Sequence, residues 1–126
     1  MTVHAHSIER IRQIAITVSD LVRATAFYRD VLELPFLFTA AGMAFFECGG
    51  VRLMLALPEE SVPVAASILY YQVADIAAAH SRLVERGVEF EGEPHIVHRA
   101  ETHDMWLAFF RDSERNLLAL LSEVER

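Results

Sequence analysis

The order of hydrophobic and polar residues predicts a strand followed by a helix near the start of the chain. Residues 11–18 are rich in β-branched side chains, which is typical of a strand. Asp20 follows, where a carboxylate can accept hydrogen bonds from the free N–H groups of a new helix. Apolar side chains then recur every three or four residues, at Leu21, Ala24, Phe27, Tyr28, Val31 and Leu32. This spacing predicts an amphipathic helix that Pro35 closes.

A hairpin is predicted after this helix. Residues 42–60, GMAFFECGGVRLMLALPEE, predict two strands joined at Gly49 and Gly50, which tolerate the positive φ of a tight turn. A two-residue turn places Glu47 opposite Arg52 on neighbouring strands, as an oppositely charged cross-strand pair. A weaker strand pattern covers residues 34–39.

The second half of the chain repeats this order. Residues 67–87, SILYYQVADIAAAHSRLVERG, again predict a strand, a capping carboxylate at Asp75 and an amphipathic helix that stops at Gly87. The segment HDMWLAFFRDSERNLLALLSEV then echoes the first hairpin, since AFF occurs in both. A weaker strand pattern at residues 95–99 again precedes the hairpin.

These segments resemble one known family over almost the whole chain. Residues 11–34, their copy YYQVADIAAAHSRLVERGVEF and the closing WLAFFRDSERNLLALLSE are similar to the vicinal oxygen chelate superfamily, which includes glyoxalase I, extradiol dioxygenases and bleomycin-resistance proteins. The resemblance implies an α+β fold of two βαβββ modules whose curved sheets form a ligand cleft, commonly in a homodimer. We expect one domain over residues 1–126, with module 1 at about 8–60 and module 2 at about 66–125.

The resemblance also implies four positions for metal ligands. They fall at Gln13, Met54, Ile68 and Ala119. The glutamine amide can ligate a metal, but isoleucine and alanine have no lone pair and the methionine thioether is too soft for the divalent ions that these enzymes use. The glutamate that would serve as the base of a glyoxalase reaction is missing as well. We therefore predict no metal and no cofactor at this site.

Strand alternation divides the remaining residues between two faces of each sheet. The helix-facing set is apolar apart from one tyrosine hydroxyl: Ile14, Ile16, Val18, Leu53, Leu55, Leu69, Tyr71, Val73, Leu118 and Leu120. The cleft-facing set is mixed: Gln13, Ala15, Thr17, Arg52, Met54, Ala56, Ile68, Tyr70, Gln72, Leu117, Ala119 and Leu121.

Hairpin neighbours extend the cleft-facing set. Phe45 lies beside Met54, Phe109 beside Ala119, and an even-length turn would put His98 opposite Met105. The predicted ligand-binding residues are therefore Gln13, Thr17, Phe45, Glu47, Arg52, Met54, Tyr70, Gln72, His98, Phe109 and Arg111. Apolar walls with a few polar groups are typical of a small-molecule site.

Other interpretations of these residues remain open. Gln13 can be only the polar end of a strand, and Glu47 with Arg52 can be a solvated pair. His95, His98, His103 and Asp104 contain metal-binding side chains, but without a tight ligand spacing they equally fit an exposed hairpin tip.

The closing turn departs from the family pattern. It is DSERN, where relatives usually have Asp-Pro-Asp-Gly-Asn, so Arg115 stands where a glycine would accept a positive φ. We expect a strained or altered turn, which puts the register of Ala119 at risk.

Composition excludes several classes of partner. The chain has 126 residues, 53% of them hydrophobic, and a net charge of −7. The acidic charge disfavours nucleic acid and favours cationic or neutral ligands. The first residues lack a signal-peptide pattern, and no apolar segment is long enough to span a membrane, so we expect a cytoplasmic protein.

The sequence therefore predicts a protein that binds or sequesters a small molecule without the family metal, as bleomycin-resistance proteins do. The alternative is a metal-dependent lyase, isomerase or dioxygenase with relocated ligands. Catalysis would need a general base, for which His98 and Glu47 are the candidates. The sequence does not identify the ligand.

Overall fold

Two four-stranded sheets, each with one helical segment, make up the chain. The computed structural model describes residues 6, 9–58 and 67–126. The strands are β1 Gln13–Thr17, β2 Phe36–Ala40, β3 Met43–Cys48, β4 Val51–Ala56, β5 Leu69–Gln72, β6 His95–Arg99, β7 His103–Arg111 and β8 Leu117–Glu125. The helices are α1 Leu21–Ala26, which continues into a π-helical segment Phe27–Val31, and α2 Ile76–Glu85.

Both sheets have the same topology. Their strand orders are β1-β4-β3-β2 and β5-β8-β7-β6. In each sheet the strand that precedes the helix pairs in parallel with the last strand of the same half, β1 with β4 and β5 with β8. The other strand pairs are antiparallel. This confirms the predicted α+β fold of two repeated modules. The proposed module limits 8, 60 and 66 lie outside the described residues.

Each helix begins at a capping carboxylate. Asp20 accepts a hydrogen bond from the Arg23 amide at 3.0 Å, and Asp75 accepts one from the Ala78 amide at 3.0 Å. The first helix differs from a regular α-helix after Ala26, because its last turn is wound as a π-helix. None of the helices in the described ranges is long and apolar enough to cross a membrane.

The helix-bearing faces of the two sheets share one hydrophobic core. Val18, Tyr28 and Phe46 of the first half are buried in the same cluster as Phe110 and Leu118 of the second. Every residue of the predicted helix-facing set belongs to this cluster or packs against it. Since side chains alternate across a strand, the cleft-facing side of each sheet points away from the shared core.

Both hairpin turns keep the predicted register. Gly49 and Gly50 have φ of 57° and 91°, and Glu47 lies opposite Arg52. Arg115 adopts a φ of 71°, as the missing glycine would have done. The turn nevertheless closes through hydrogen bonds from the amides of Glu114 and Asn116 to Asp112 Oδ1, both at 2.8 Å. The strands beyond the turn therefore do not shift.

Candidate functional site

A polar pair lies at the start of β1 and β4 on the cleft-facing side. These strands are parallel and put Gln13 in register with Arg52. Arg52 Nε donates a hydrogen bond of 2.6 Å to Gln13 Oε1, while Gln13 Nε2 lies 3.8 Å from Met54 Sδ. This contact fixes which end of the amide faces the guanidinium.

Aromatic rings form a wall beside this pair. Arg52 Cζ lies 5.6 Å from the centroid of the Phe45 ring, within the range of a cation–π contact. Phe45 in turn stacks on Phe38, with centroids 4.5 Å apart. Sequence reasoning missed Phe38, because the β2–β3 register shifts between Phe36 and Phe38 and breaks the alternation of side chains.

Glu47 does not form the predicted charge pair. It is in register with Arg52, yet its Oε2 accepts a 2.6 Å hydrogen bond from the Gly50 amide across the hairpin turn. Arg52 forms no ion pair with any residue in the described ranges. Glu47 therefore holds the turn, and the guanidinium is left without a carboxylate partner.

A second group of predicted residues lies on the other sheet. Tyr70 and Phe109 meet edge to face, with centroids 6.2 Å apart, on either side of the buried Ala119. Tyr70 is 49% exposed, and Gln72 beyond it is exposed too. The guanidinium of Arg111 is bound to Glu91 at 2.8 Å. The aromatic part of this group is apolar apart from the Tyr70 hydroxyl, and the charge of Arg111 is balanced by Glu91.

A groove of about 580 Å³ lies between β1, β5 and the start of β8. Thr17 lines it from module 1, and Ile68 and Arg111 line it from module 2. Asn116 Nδ2 donates to the Thr17 carbonyl at 3.4 Å beside it. The groove thus connects two of the predicted residues, although they come from different sheets.

His98 lies apart from both groups. It is exposed on the edge strand β6, opposite Met105 as predicted. Its neighbours are engaged elsewhere: His95 Nδ1 lies 3.0 Å from the Glu93 carbonyl, and His103 Nδ1 lies 2.7 Å from Thr102 Oγ1. Among the described residues, no three His, Cys, Asp or Glu side chains are arranged to hold a metal ion.

The positions that the family uses for metal do not fit a divalent ion either. Met54, Ile68 and Ala119 supply one thioether and two hydrocarbon side chains. The remaining ligand, Gln13 Oε1, already accepts from the Arg52 guanidinium, whose positive charge opposes a cation at the same oxygen. We therefore derive no metal chemistry for these positions.

A cavity of about 520 Å³ opens on the helix side, between the two modules. Leu34, Cys48, Tyr71 and Leu83 are among the residues that line it. Burial raises the pKa of the Cys48 thiol, and the charge of Glu47 raises it further. The thiol is therefore protonated at neutral pH, unlike an activated nucleophile.

Comparison with known proteins identifies the family. The model of the Glyoxalase/Bleomycin resistance protein/Dioxygenase superfamily matches residues 10–120. The chain belongs to this superfamily, in agreement with the resemblance of its segments. No curated protein matches the chain at a significant level.

Solved structures have the same fold. A lactoylglutathione lyase from Agrobacterium tumefaciens is similar with a TM-score of 0.77 and 23% identity, over 92% of this chain and 95% of that one. A superfamily member from Sphaerobacter thermophilus has a TM-score of 0.76 and 24% identity, over 92% and 98%. An integron cassette protein from the mobile metagenome of V. cholerae has a TM-score of 0.76 and 22% identity, over 94% of this chain and 98% of that one. At this identity the likeness concerns the fold alone.

Proposed function

We propose that this chain binds or sequesters a small molecule on the cleft-facing side of the sheet β1-β4-β3-β2, without the family metal. The observation that carries the proposal is the Gln13–Arg52 pair, held at 2.6 Å against the ring of Phe45 and the side chain of Met54. Fixed polar groups on an apolar wall are what a small-molecule site needs to orient its ligand.

We propose further that a second copy of the chain completes the site. The cleft-facing sides point away from the shared core, and they carry exposed apolar side chains such as Phe38, Ile68 and Tyr70, at 46%, 39% and 49% exposure. A homodimer would cover these surfaces and the strand edges beside them. A cytoplasmic location and the absence of nucleic-acid partners are part of the same proposal.

The enzymatic alternative has less support. Its two candidate bases are Glu47, whose carboxylate holds the Gly50 amide, and His98, which is exposed on β6 away from Gln13 and Arg52. A general base must lie within hydrogen-bond reach of the proton it removes. Glu47 is committed to the hairpin turn and His98 lies on the other sheet, so we favour binding over catalysis.

A ligand screen by thermal shift tests the proposal, because a ligand that binds the native state raises its unfolding temperature. The affinities of the ligands found in this screen are then measured for the wild type, Gln13→Ala and Tyr70→Ala, and each ligand is located by co-crystallisation. We expect at least the first variant to lose affinity while it keeps the fold. Unchanged affinity and stability in both variants would mean that Gln13 is only the polar end of a strand.

A further inference from the structure

The Gln13 and Arg52 side chains offer N–H donors that no strong acceptor among the described residues occupies. The carbonyl oxygen of the Gln13 amide is occupied by Arg52 Nε, and its amino group meets only the Met54 sulfur, a weak acceptor, at 3.8 Å. Within the described ranges, neither terminal nitrogen of the Arg52 guanidinium has a hydrogen-bond or ion-pair partner. A ligand at this point therefore has to supply acceptors.

The local charge also favours an anion. Arg52 is a half-buried residue whose positively charged guanidinium lies over the Phe45 ring and has no carboxylate partner in the part of the chain that the structure describes. Glu47 is its cross-strand neighbour, but one carboxylate oxygen is committed to the Gly50 amide. The overall charge of −7 acts over longer distances, where salt screens it beyond about 8–10 Å. Contacts at the site therefore outweigh the net charge.

The apolar wall determines the shape of the ligand body. Phe45 is only 8% exposed and lies on β3, between Arg52 on β4 and Phe38 on β2, whose ring it stacks on at 4.5 Å with an interplanar angle of 25°. A flat aromatic group that lies across the outer edges of these two rings can place its substituent at Arg52. The geometry thus combines an aromatic surface with a cluster of donors.

We propose that the ligand of this site is an aromatic carboxylate, whose two oxygens accept from the terminal nitrogens of Arg52 and from the Gln13 amide. This inference rests on the proposed binding function and specifies its ligand class. It replaces the cationic or neutral ligand that the net charge favoured. Arg52 is then the residue that selects for the anion, because a guanidinium binds a carboxylate through two parallel hydrogen bonds.

Three probes with one ring system test this selection: 2-naphthoate, the neutral 2-naphthamide and the cationic 2-naphthamidine. Their binding is followed at neutral pH and physiological salt by naphthalene fluorescence. We expect 2-naphthoate to bind about tenfold more tightly than 2-naphthamide, since a hydrogen bond to a charged group is about twice as strong as a neutral one. The amidine should bind least tightly.

Substitutions then assign the preference to Arg52. Arg52→Met removes the donors but leaves a side chain that still covers Phe45. Its affinity for 2-naphthoate should fall about tenfold, while its affinity for 2-naphthamide should change little. Arg29→Met is the charge-matched control, because Arg29 is exposed on the first helix and paired with Asp30. Glu47→Gln retains an acceptor for the Gly50 amide but removes a negative charge, so the affinity for 2-naphthoate should rise and the affinity for the amidine should fall.

Each outcome decides a separate question. Equal or tighter binding of the amide or amidine would overturn the carboxylate inference and leave the binding site in place. Retained 2-naphthoate affinity in Arg52→Met, or an equal loss of affinity in Arg52→Met and Arg29→Met, would also overturn it. If none of the three probes binds and the wider thermal-shift screen finds no ligand sensitive to Gln13→Ala, the proposed binding function fails as well. Opposite effects of Glu47→Gln on the anion and the cation would support the inference independently of Arg52.

Discussion

The Tyr28 hydroxyl donates a 2.7 Å hydrogen bond to Asp112 Oδ2, and both residues are buried, at 0% and 5% exposure. Tyr28 belongs to the helical segment of module 1, and Asp112 begins the β7–β8 turn of module 2. Burial raises the pKa of Tyr28, and the neighbouring Asp112 charge raises it further. The hydroxyl therefore remains a neutral donor and joins the two modules through the shared core.

Tyr28→Phe should destabilise the protein by about 1–3 kcal/mol, because it removes a partner from a buried carboxylate without changing the ring. The loss should be measured as a lower midpoint of urea unfolding with an unchanged slope. Asp112 keeps its bonds from Glu114 and Asn116, so the variant should still fold.

Tyr71→Phe is the matched control for this substitution. The Tyr71 hydroxyl is buried in the same core and has no hydrogen-bond partner among the described residues. Since an unsatisfied buried hydroxyl contributes a desolvation cost, its removal should be neutral or stabilising. Equal destabilisation by both variants would show that the Tyr28–Asp112 bond contributes nothing specific.

Glu114 makes a second connection between the modules. Its Oε1 accepts from the Ser19 amide, the Ser19 hydroxyl and the Asp20 amide, each at 2.7 Å, and Oε2 pairs with the Arg23 guanidinium. Burial raises the pKa of this carboxyl, but the hydrogen bonds from Arg23, Ser19 and Asp20 lower it more, to about 2. The β7–β8 turn is thus attached to the start of α1 by an ionised group.

This attachment makes the free energy of unfolding depend on pH in the acidic range. A carboxyl with a lowered folded-state pKa contributes its full stability above the unfolded value of 4.5 and loses it as pH falls toward about 2. Glu114→Gln should therefore reduce the free energy of unfolding at pH 7 and flatten its decline between these values. Urea midpoints measured across this range test it, with the exposed Glu85→Gln as the charge-matched control. Parallel pH profiles for the wild type and Glu114→Gln would contradict the assignment.

Local periodicity predicted the repeated order of strand, helix and hairpin, and the resemblance to the family implied how these elements form two sheets. Alternation in β1 and β4 separated Ile14 and Leu53, which pack in the core, from Gln13 and Arg52 on the opposite face. The paired glycines at 49 and 50 determined the hairpin register, because few other residues adopt two consecutive positive φ values. These features depend on neighbours in sequence or on one strand pair, so a single chain reveals them.

The contacts of the candidate site could not be predicted in the same way. The sequence placed Glu47 beside Arg52, but it could not show that the Gly50 amide would take the carboxylate and that Arg52 would turn to Gln13. Both contacts depend on the side-chain rotamers of Glu47 and Arg52, which the order of residues along a strand does not determine. Tyr28 with Asp112 and Ser19 with Glu114 are separated by 84 and 95 residues, and only the packing of one module on the other brings them together.

Protein purified without chelator or metal-affinity resin should contain no stoichiometric divalent metal bound through Gln13. Its carbonyl oxygen is held by Arg52, and the other family positions supply no second hard ligand. Elemental analysis of the wild type and Gln13→Ala checks this. Stoichiometric zinc, nickel, manganese or iron that disappears in Gln13→Ala would refute the prediction. Metal lost instead in His98→Ala would favour the relocated-ligand enzyme.

The chain should sediment as a homodimer at micromolar concentration. Ile68 is 39% exposed on the cleft-facing side, where a second copy would cover it. Ile68→Glu should therefore shift the equilibrium toward monomer, because a buried, unpaired carboxylate is costly at an interface. Val22→Glu is the control, since Val22 is 82% exposed on α1, away from the cleft-facing set. Sedimentation equilibrium that gives a stable wild-type monomer, or equal dissociation by both variants, would mean that the cleft-facing sides do not meet in a dimer.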